Sequence, residues 1–385
     1  MRFIEGGITL VDGVRCFGIK EGKCGLGIVE CHGNAAGVFT KNRIKAAPII
    51  VTMENLKAGA IEGIIANSGN ANAFTGKIGI RNAKRMCEIL AEKLRCEASR
   101  VAVASTGVIG VQLDMEWIES RAGYVFDNLG TNRDSSLAFA KSIMTTDSFT
   151  KEAAVEIGDA VIAGVAKGAG MIAPNMATML AFIFTDADFK SEELKKMLVK
   201  AVNRSFNVTV VDGDASTNDM VLLVSTGQRN VSEEKFQKGL NAVCVQLAKQ
   251  IAKDGEGATK FVEVIVEGAK NDEEAFKAAK CVASSLLVKT ALFGNDPNWG
   301  RIVAALGYSG CDVDENLSIA FEGNGRVDLV KRGEILDTRS EARKLLESSK
   351  ELKILINLHK GNGKGYAFGC DLSYDYVRIN AEYTT

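Results

Sequence analysis

The 385-residue chain contains only two histidines, His32 and His359. A Ser-His-Asp or Cys-His catalytic arrangement needs a histidine beside the nucleophile, and neither residue stands in a pattern of that kind. Both are therefore expected to be surface or structural residues. Because histidine is nearly missing, a catalytic base of another type, such as an α-amine, becomes the more attractive prediction.

Long apolar runs and an excess of charge are missing too. No run approaches the ~20 apolar residues that a helix needs to cross a bilayer. Residues 1–7 lack the apolar segment of a signal peptide. The formal net charge of −1 leaves no basic footprint for nucleic acid. With 46% apolar and 25% charged residues, the composition is typical of a globular protein, and we expect it in the cytoplasm.

The nine cysteines include no Cys-x-x-Cys pair, so they are expected to be reduced thiols, mostly small core residues. Their one loose cluster comprises Cys16, Cys24 and Cys31, with His32 beside it. Its spacing matches no zinc pattern. We therefore predict no metal site.

One stretch, Lys167–Leu180, combines features that suit catalysis. It begins with a Gly-Ala-Gly hinge and stiffens at Pro174, one of only three prolines. It ends where Thr178 opens an apolar run that predicts a buried strand. The simpler interpretation is a glycine-rich loop that enters a buried strand.

Thr178, preceded by the small residue Ala177, is suited to self-cleavage. The threonine hydroxyl can attack the Ala177 carbonyl and form an ester by an N-to-O shift, which water then hydrolyses. Thr178 would keep a free α-amine that titrates near pH ~7.7–8.0. Such an amine can act as the base for its own hydroxyl without any histidine.

Two other polar segments follow predicted strands. The segment Asn67–Asn72 is rich in asparagine and glycine, and is either a ligand-binding loop or an ordinary turn. Thr106 and Gly107 follow the short apolar strand Val101–Ala104. A hydroxyl and a backbone N–H side by side are what an oxyanion hole requires, although Thr-Gly is also a common turn pair.

Acidic residues mark two further loops. The loop Asp212–Asp219 holds three aspartates near a glycine, but it lacks the closing glutamate of a calcium loop. A polar loop with Asx turns is the preferred interpretation. Glu256 lies between two glycines, where packing is a poor explanation for a carboxylate. It could hold a substrate ammonium group.

Strands and helices alternate along the chain, which predicts sheets covered by helices. Amphipathic helices are predicted over 81–94, 191–203 and 232–253. Strands are predicted over 48–52, 154–166 and 369–381, and residues 361–365 are predicted to form a hairpin turn between the last two strands.

The chain resembles the ornithine acetyltransferase family, which includes the bifunctional glutamate N-acetyltransferase of arginine biosynthesis. Each block that carries the resemblance is weak alone, but the ordered set spans nearly the whole chain and is highly specific. The blocks are Asn67–Asn72, Ser105–Gly110, Met144–Asp147, Lys167–Leu180, Asp212–Asp219, Asp254–Lys260, Gly294–Arg301 and Asn380–Thr385.

The resemblance implies a layered α/β/β/α fold, similar in layering to N-terminal-nucleophile hydrolases but differently connected. It implies scission between Ala177 and Thr178 into chains 1–177 and 178–385, which would assemble as a heterotetramer of two of each. Thr178 would be the nucleophile, and Thr106 with Gly107 the oxyanion hole. The substrate-binding positions would be Thr145, Lys167, Thr178, Glu256, Asn380 and Thr385, with Thr146 a rival for Thr145.

The implied reaction is ping-pong transfer of acetyl from N2-acetyl-L-ornithine to L-glutamate. The resemblance implies no cofactor, and acetyl-CoA would be a co-substrate only in a bifunctional enzyme. Two other functions stay open: a self-processed amidohydrolase or aminopeptidase, and a glycine-rich binding protein without activity. The first would release acetate or an amino acid, and the second would show no scission at Thr178.

Overall fold

The computed structural model describes residues 1–173 and 179–382. Its strands, numbered in chain order, are β1 Arg2–Ile4, β2 Val14–Glu21, β3 Cys24–Phe39, β4 Ala60–Asn70, β5 Val101–Val108, β6 Lys151–Ile157, β7 Ala160–Lys167, β8 Leu180–Ala187, β9 Thr209–Val210, β10 Met220–Arg229, β11 Phe261–Ala269, β12 Ser318–Gly323, β13 Gly325–Lys331, β14 Glu334–Ile335, β15 Glu351–Asn357 and β16 Gly363–Cys370.

The helices of residues 1–173 and 179–382 cover the sheets that these strands form. They are α1 Ala47–Asn55, α2 Gly76–Leu94, α3 Met115–Asp127, α4 Arg133–Ser142, α5 Ser191–Asn203, α6 Glu233–Lys253, α7 Asp272–Ser284, α8 Leu286–Phe293, α9 Trp299–Gly307, α10 Arg339–Ser348 and α11 Tyr374–Glu382.

Within the described ranges the strands form two sheets. The first has nine strands in the order β1-β6-β7-β8-β10-β3-β4-β5, with β2 paired to β3. The second has seven, in the order β14-β13-β12-β15-β11-β16-β9. In the first sheet β8 and β10 lie between β7 and β3. Two strands that follow residues 174–178 are therefore hydrogen-bonded between strands that precede them.

Helices bury the apolar faces of both sheets, which confirms the predicted α/β class. The helices α5 and α6 pack on β6, β7, β8 and β10 and reach Phe261 and Phe368 of the second sheet. The helices α2 and α3 cover β3, β4 and β5, whereas α7, α9 and α10 cover the second sheet. Every residue of β8 is buried, as the apolar run after Thr178 predicts.

The three strands predicted over 48–52, 154–166 and 369–381 are wrong. Residues 48–52 belong to helix α1, where Pro48 lies in the first turn and needs no hydrogen-bond partner for its nitrogen. Residues 154–166 form the antiparallel pair β6 and β7 instead of one strand. Residues 369–381 include the last two residues of β16 and most of helix α11.

The segment 361–365 is not a hairpin turn, because β15 and β16 are not paired with each other. Strand β11 lies between them, parallel to β15 and antiparallel to β16. Sequence alone shows that two strands are adjacent in the chain, but a third strand can insert between them. In the described part of the chain, no helix has the length and apolar character that a membrane span requires.

Candidate active site

A cavity of about 440 Å³ brings together residues from distant parts of the chain. It lies where β5 and β7 end, near the loop that leads into β10. Asn380, in the last turn of α11, also lines it. The residues predicted from the sequence that line it are Thr106, Gly107, Thr145, Thr146, Lys167, Glu256 and Asn380.

Lys167, the last residue of β7, is the buried cation of this cavity, with 2% of its surface exposed. Its ammonium group donates hydrogen bonds to the hydroxyls of Thr145 (2.8 Å) and Thr106 (3.2 Å). A hydroxyl that accepts a bond from lysine keeps its own proton for another acceptor. Lys167 therefore orients both threonines as donors. Both Thr145 and its rival Thr146 line the cavity, and among the described residues a bond to Lys167 is seen for Thr145.

Asp147 balances the charge of Lys167. Its carboxylate accepts hydrogen bonds from the backbone N–H of Gly168 (2.6 Å) and of Thr145 (3.0 Å). Burial alone would raise the pKa of Asp147, but the ammonium groups of Lys167 and Lys151 lower it to about 2. Burial lowers the pKa of Lys167, and the Asp147 carboxylate opposes that effect.

A second buried lysine anchors Asp147 from behind. The Lys151 ammonium lies 2.6 Å from the Asp147 carboxylate and 2.5 Å from that of Asp254, and none of the Lys151 side chain is exposed. Asp254 also accepts the backbone N–H of Ser148 at 3.0 Å. The network fixes the Met144–Asp147 block relative to the end of α6. Removing one member would leave a buried charge without its partner.

Thr106 and Gly107 lie at the end of β5, in register with Ser68 and Gly69 of the neighbouring parallel strand β4. Gly107 has a φ of +135°, and a Cβ atom there would collide with the backbone of Gly69. Only glycine allows the two strand ends to approach so closely. This close approach places the Thr106 hydroxyl and the Gly107 backbone on the cavity wall.

Asn218 ties the loop before β10 to the ends of β4 and β5. Its side-chain amide donates to the carbonyls of Ala71 (2.7 Å) and Ser105 (2.8 Å). The Thr217 hydroxyl donates to its side-chain oxygen at 2.6 Å. Asn218 is buried, so these bonds are shielded from water and hold the cavity floor in place.

Glu256 and Asn380 form the acidic side of the cavity. The Asn380 side-chain amide of helix α11 donates to the Glu256 carboxylate at 2.8 Å. The backbone N–H of Glu256 donates to the Ala169 carbonyl at 2.9 Å. At Gly170, a Cβ atom would collide with the Glu256 carboxyl group. Gly170 thus leaves the space that the carboxylate occupies.

The loop 211–219 holds the chain on both sides of residues 174–178. On one side, the Asp212 carboxylate accepts the N–H groups of Met171 (2.6 Å) and Ile172 (2.8 Å). On the other, the Asp219 carboxylate accepts the N–H of Met179 at 3.1 Å. The predictions for Ala177, Thr178 and Thr385 fall on residues outside the described ranges.

The backbone bonds to Asp212 also bear on the calcium alternative. Its carboxylate accepts a third bond, from the Asp214 N–H at 3.2 Å, so both oxygens are engaged by backbone N–H groups. This is the Asx-turn geometry expected of a polar loop. In the described ranges no group of three or more His, Cys, Asp or Glu residues is placed to hold a metal ion.

Sequence reasoning missed the roles of Asp147, Asn218 and Asp219. All three stand inside blocks that were singled out, but nothing in the sequence shows that one carboxylate would reach the amide of Gly168 and another that of Met179. The available signal was the presence of an acid or amide at the end of each polar block.

Comparisons with known proteins show the family to which the chain belongs. The model of the ArgJ family matches residues 11–385. The arginine biosynthesis bifunctional protein ArgJ of Archaeoglobus fulgidus is 57% identical over 379 residues, which are 98% of this chain and 100% of that protein. The glutamate N-acetyltransferase of Methanosarcina mazei is 49% identical over 396 aligned positions and covers both chains completely.

A solved structure, the arginine biosynthesis bifunctional protein ArgJ from Bacillus halodurans, is similar to part of this chain. The identity is 46% and the TM-score is 0.50. The match covers 98% of that chain but only 52% of this one.

Proposed function

The chain belongs to the ArgJ family of acyltransferases of arginine biosynthesis, and on this premise we propose that it transfers acetyl from N2-acetyl-L-ornithine to L-glutamate. The acetyl group would be carried as an ester on Thr178. L-Ornithine and N-acetyl-L-glutamate are the products of one cycle.

The observation that carries this proposal is the charge pattern of the cavity. Its lining offers the Lys167 ammonium with two threonine hydroxyls, and also the Glu256 carboxylate with the Asn380 amide. Acetylornithine has an α-carboxylate and a side-chain ammonium, and glutamate has carboxylates and an α-ammonium. A cavity that holds a cation and an anion can bind both charged ends of either molecule and so orient it.

In the first half-reaction, the Thr178 hydroxyl adds to the acetyl carbonyl carbon while the Thr178 α-amine takes the hydroxyl proton. The developing oxyanion receives hydrogen bonds from the Thr106 hydroxyl and the Gly107 N–H. The amide C–N bond then breaks, and the leaving nitrogen of ornithine takes the proton from the α-ammonium. The acetyl group is left as an ester.

In the second half-reaction, the α-amine of glutamate adds to the ester carbonyl and gives a proton to the α-amine of Thr178. The C–O bond breaks, and the Thr178 oxygen takes that proton back. N-Acetylglutamate leaves and the free hydroxyl is restored. The same base and oxyanion donors serve both halves, as ping-pong chemistry requires.

The α-amine requires scission between Ala177 and Thr178, which would give chains 1–177 and 178–385. The match to the Bacillus halodurans chain supports this division, because a protein made of two shorter chains would align to about half of an uncut one. We further propose a heterotetramer of two copies of each chain, located in the cytoplasm.

Mass spectrometry of the purified protein, together with an exchange assay, tests the proposal. Two chains, the second starting at Thr178, are expected. Incubation with acetylornithine alone should acetylate the second chain, and added glutamate should discharge it as N-acetylglutamate. Release of free acetate at the same rate without glutamate would indicate an amidohydrolase instead. A parallel assay with acetyl-CoA and glutamate decides whether the enzyme is bifunctional.

Thr106→Val is expected to reduce kcat by about 10²–10³-fold with little change in KM, because it removes one oxyanion donor. Steady-state kinetics with acetylornithine and glutamate measure both constants. Ser105→Ala is the matched control, since the Ser105 hydroxyl is buried beside Thr106 and has no hydrogen-bond partner among the described residues. Equal losses in the two variants would contradict the role of Thr106.

Gly170→Ala is expected to raise KM for acetylornithine by roughly 10–100-fold, the equivalent of one charged hydrogen bond. The new methyl group would push the Glu256 carboxylate out of its place beside Asn380. Because a flexible side chain moves and the backbone does not, the melting temperature should stay nearly unchanged. Gly307→Ala, where a Cβ has nothing within 4 Å, should leave both quantities as they are. An unchanged KM in Gly170→Ala would show that Glu256 does not bind substrate.

A further inference from the structure

Asp219 is a buried carboxyl group that the mechanism above does not use. It precedes β10 and has no exposed surface. One carboxyl oxygen accepts the N–H of Met179 at 3.1 Å. In the sequence Met179 follows Thr178 directly, so Asp219 is fixed to the peptide unit that adjoins the nucleophilic residue.

The second oxygen of Asp219 has no hydrogen-bond partner among the described residues. The hydroxyl of Thr40 lies beside the carboxyl, but it donates its own proton to the Ser216 carbonyl at 2.7 Å. A buried polar atom without a partner is rare and is costly unless a partner arrives later. The unpaired Oδ2 belongs to the same carboxyl group that accepts the Met179 N–H, so it lies close to the residue before Met179.

Positive charge that could balance the Asp219 carboxyl group is also scarce among the described residues. Among the described residues the charged group that acts on it is Lys167, whose ammonium is already bonded to Thr106 and Thr145. Burial raises the pKa of Asp219 well above its usual range. In the uncut chain, little nearby positive charge compensates a negative charge on this buried carboxyl group.

Scission as proposed above would create an α-amine on the residue before Met179. From the geometry of Asp219 we infer that this carboxyl is the counter-ion of that amine, and so a positioning residue for the base. The inference rests on the proposed scission and nucleophile. Protonation of this amine, by water or by the Asp219 carboxyl group itself, gives a carboxylate beside an ammonium group. No other reactant is needed.

The consequence for catalysis resembles that of the aspartate in a Ser-His-Asp triad. The α-amine becomes an ammonium each time it takes the hydroxyl proton, and a fixed carboxylate stabilises that state. A carboxylate also raises the pKa of a neighbouring amine. Activity needs the free amine, so it should rise with pH through that pKa, and removing the carboxylate should move the rise to lower pH. Other ionisable groups described around the cavity include Lys167, Lys151, Asp147 and Glu256.

Asp219→Asn tests the inference, because the amide oxygen can still accept the Met179 N–H while the charge is lost. We expect full scission, kcat reduced by roughly 10²-fold or more with KM nearly unchanged, and the acidic limb of kcat/KM moved about one unit to lower pH. The pH dependence with which cyanate carbamylates the Thr178 α-amine, read by peptide mass spectrometry, should move in the same direction without any substrate.

Asp186→Asn is the matched control. Asp186 lies in β8, is also buried, accepts a backbone N–H (from Val161, 2.7 Å), and has a pKa raised by burial. It should keep the acidic limb of the wild type. If Asp219→Asn cannot be obtained folded, Asp219→Ser removes the same charge with less volume and should give the same shift.

An acidic limb that is unchanged in the Asp219 variant, or that moves equally in the Asp186 control, would overturn the inference. A folded Asp219→Asn protein that stays uncut would overturn it as well, because the residue would then act in scission and not on its product. Failure of the proposed function looks different: the wild-type protein itself would remain a single chain, or would show no acetylated Thr178.

Discussion

Replacing Thr178 by alanine is expected to leave one uncut 385-residue chain and to lower kcat/KM for acetyl transfer by at least about 10⁴-fold. The substitution removes the hydroxyl that attacks in both reactions. Without scission there is no α-amine either, so nucleophile and base are lost together. Intact-mass measurement reads the first effect and initial rates of N-acetylglutamate formation read the second.

Thr178→Ser provides the control, since it restores a hydroxyl of slightly different geometry. This variant should be cut, although more slowly, and should retain transfer within about 10–100-fold of the wild type. An uncut Thr178→Ala protein that still exchanged acetyl groups would contradict the ester mechanism. A Thr178→Ala protein that was cut at the same bond would contradict self-cleavage.

Substituting the buried Lys167 by methionine should lower kcat/KM by about 10²–10⁴-fold, which corresponds to the roughly 3–5 kcal/mol lost when one partner of a buried ion pair is removed. Methionine fills a similar volume but leaves the Asp147 carboxylate without one of its two cations. The hydroxyls of Thr106 and Thr145 also lose the donor that orients them. Steady-state kinetics and thermal unfolding together measure the outcome.

Lys289→Met separates catalysis from stability. Lys289 is as buried as Lys167, at 2% exposure, and its ammonium donates to the Cys370 carbonyl; neither Lys289 nor Cys370 is among the residues that line the cavity. Both lysine variants should lower the melting temperature, but only Lys167→Met should lose more than about threefold in kcat/KM. Equal losses of activity would show that Lys167 acts through stability alone.

Sequence patterns were sufficient for residues whose role follows from a strand end or an unusual residue type. Thr106 and Gly107 directly continue an apolar strand, and Glu256 stands between glycines. Such residues are hard to explain by packing, and the structure places each of them on one cavity. The ordered blocks of the family resemblance supplied Lys167, Thr145 and Asn380.

Long-range pairing was beyond the sequence. The segment Pro48–Thr52 is apolar enough for a strand, but its partner surface is the face of β5, on which a helix packs. In the sequence, Asp219 is simply one polar residue of a loop. Only the fold brings it to the amide of Met179. Local propensity is a weak guide wherever tertiary contacts decide the environment.

The mixed strand order of the first sheet has a consequence for what scission does to stability. Strands β8 and β10 lie between β7 and β3, so after a cut at residue 177 each half would still be hydrogen-bonded into the other along whole strands. The native contacts of the described residues would not depend on the broken peptide bond. Breaking this bond would instead raise the entropy of the denatured ensemble, because two separate polypeptides are free to diffuse apart.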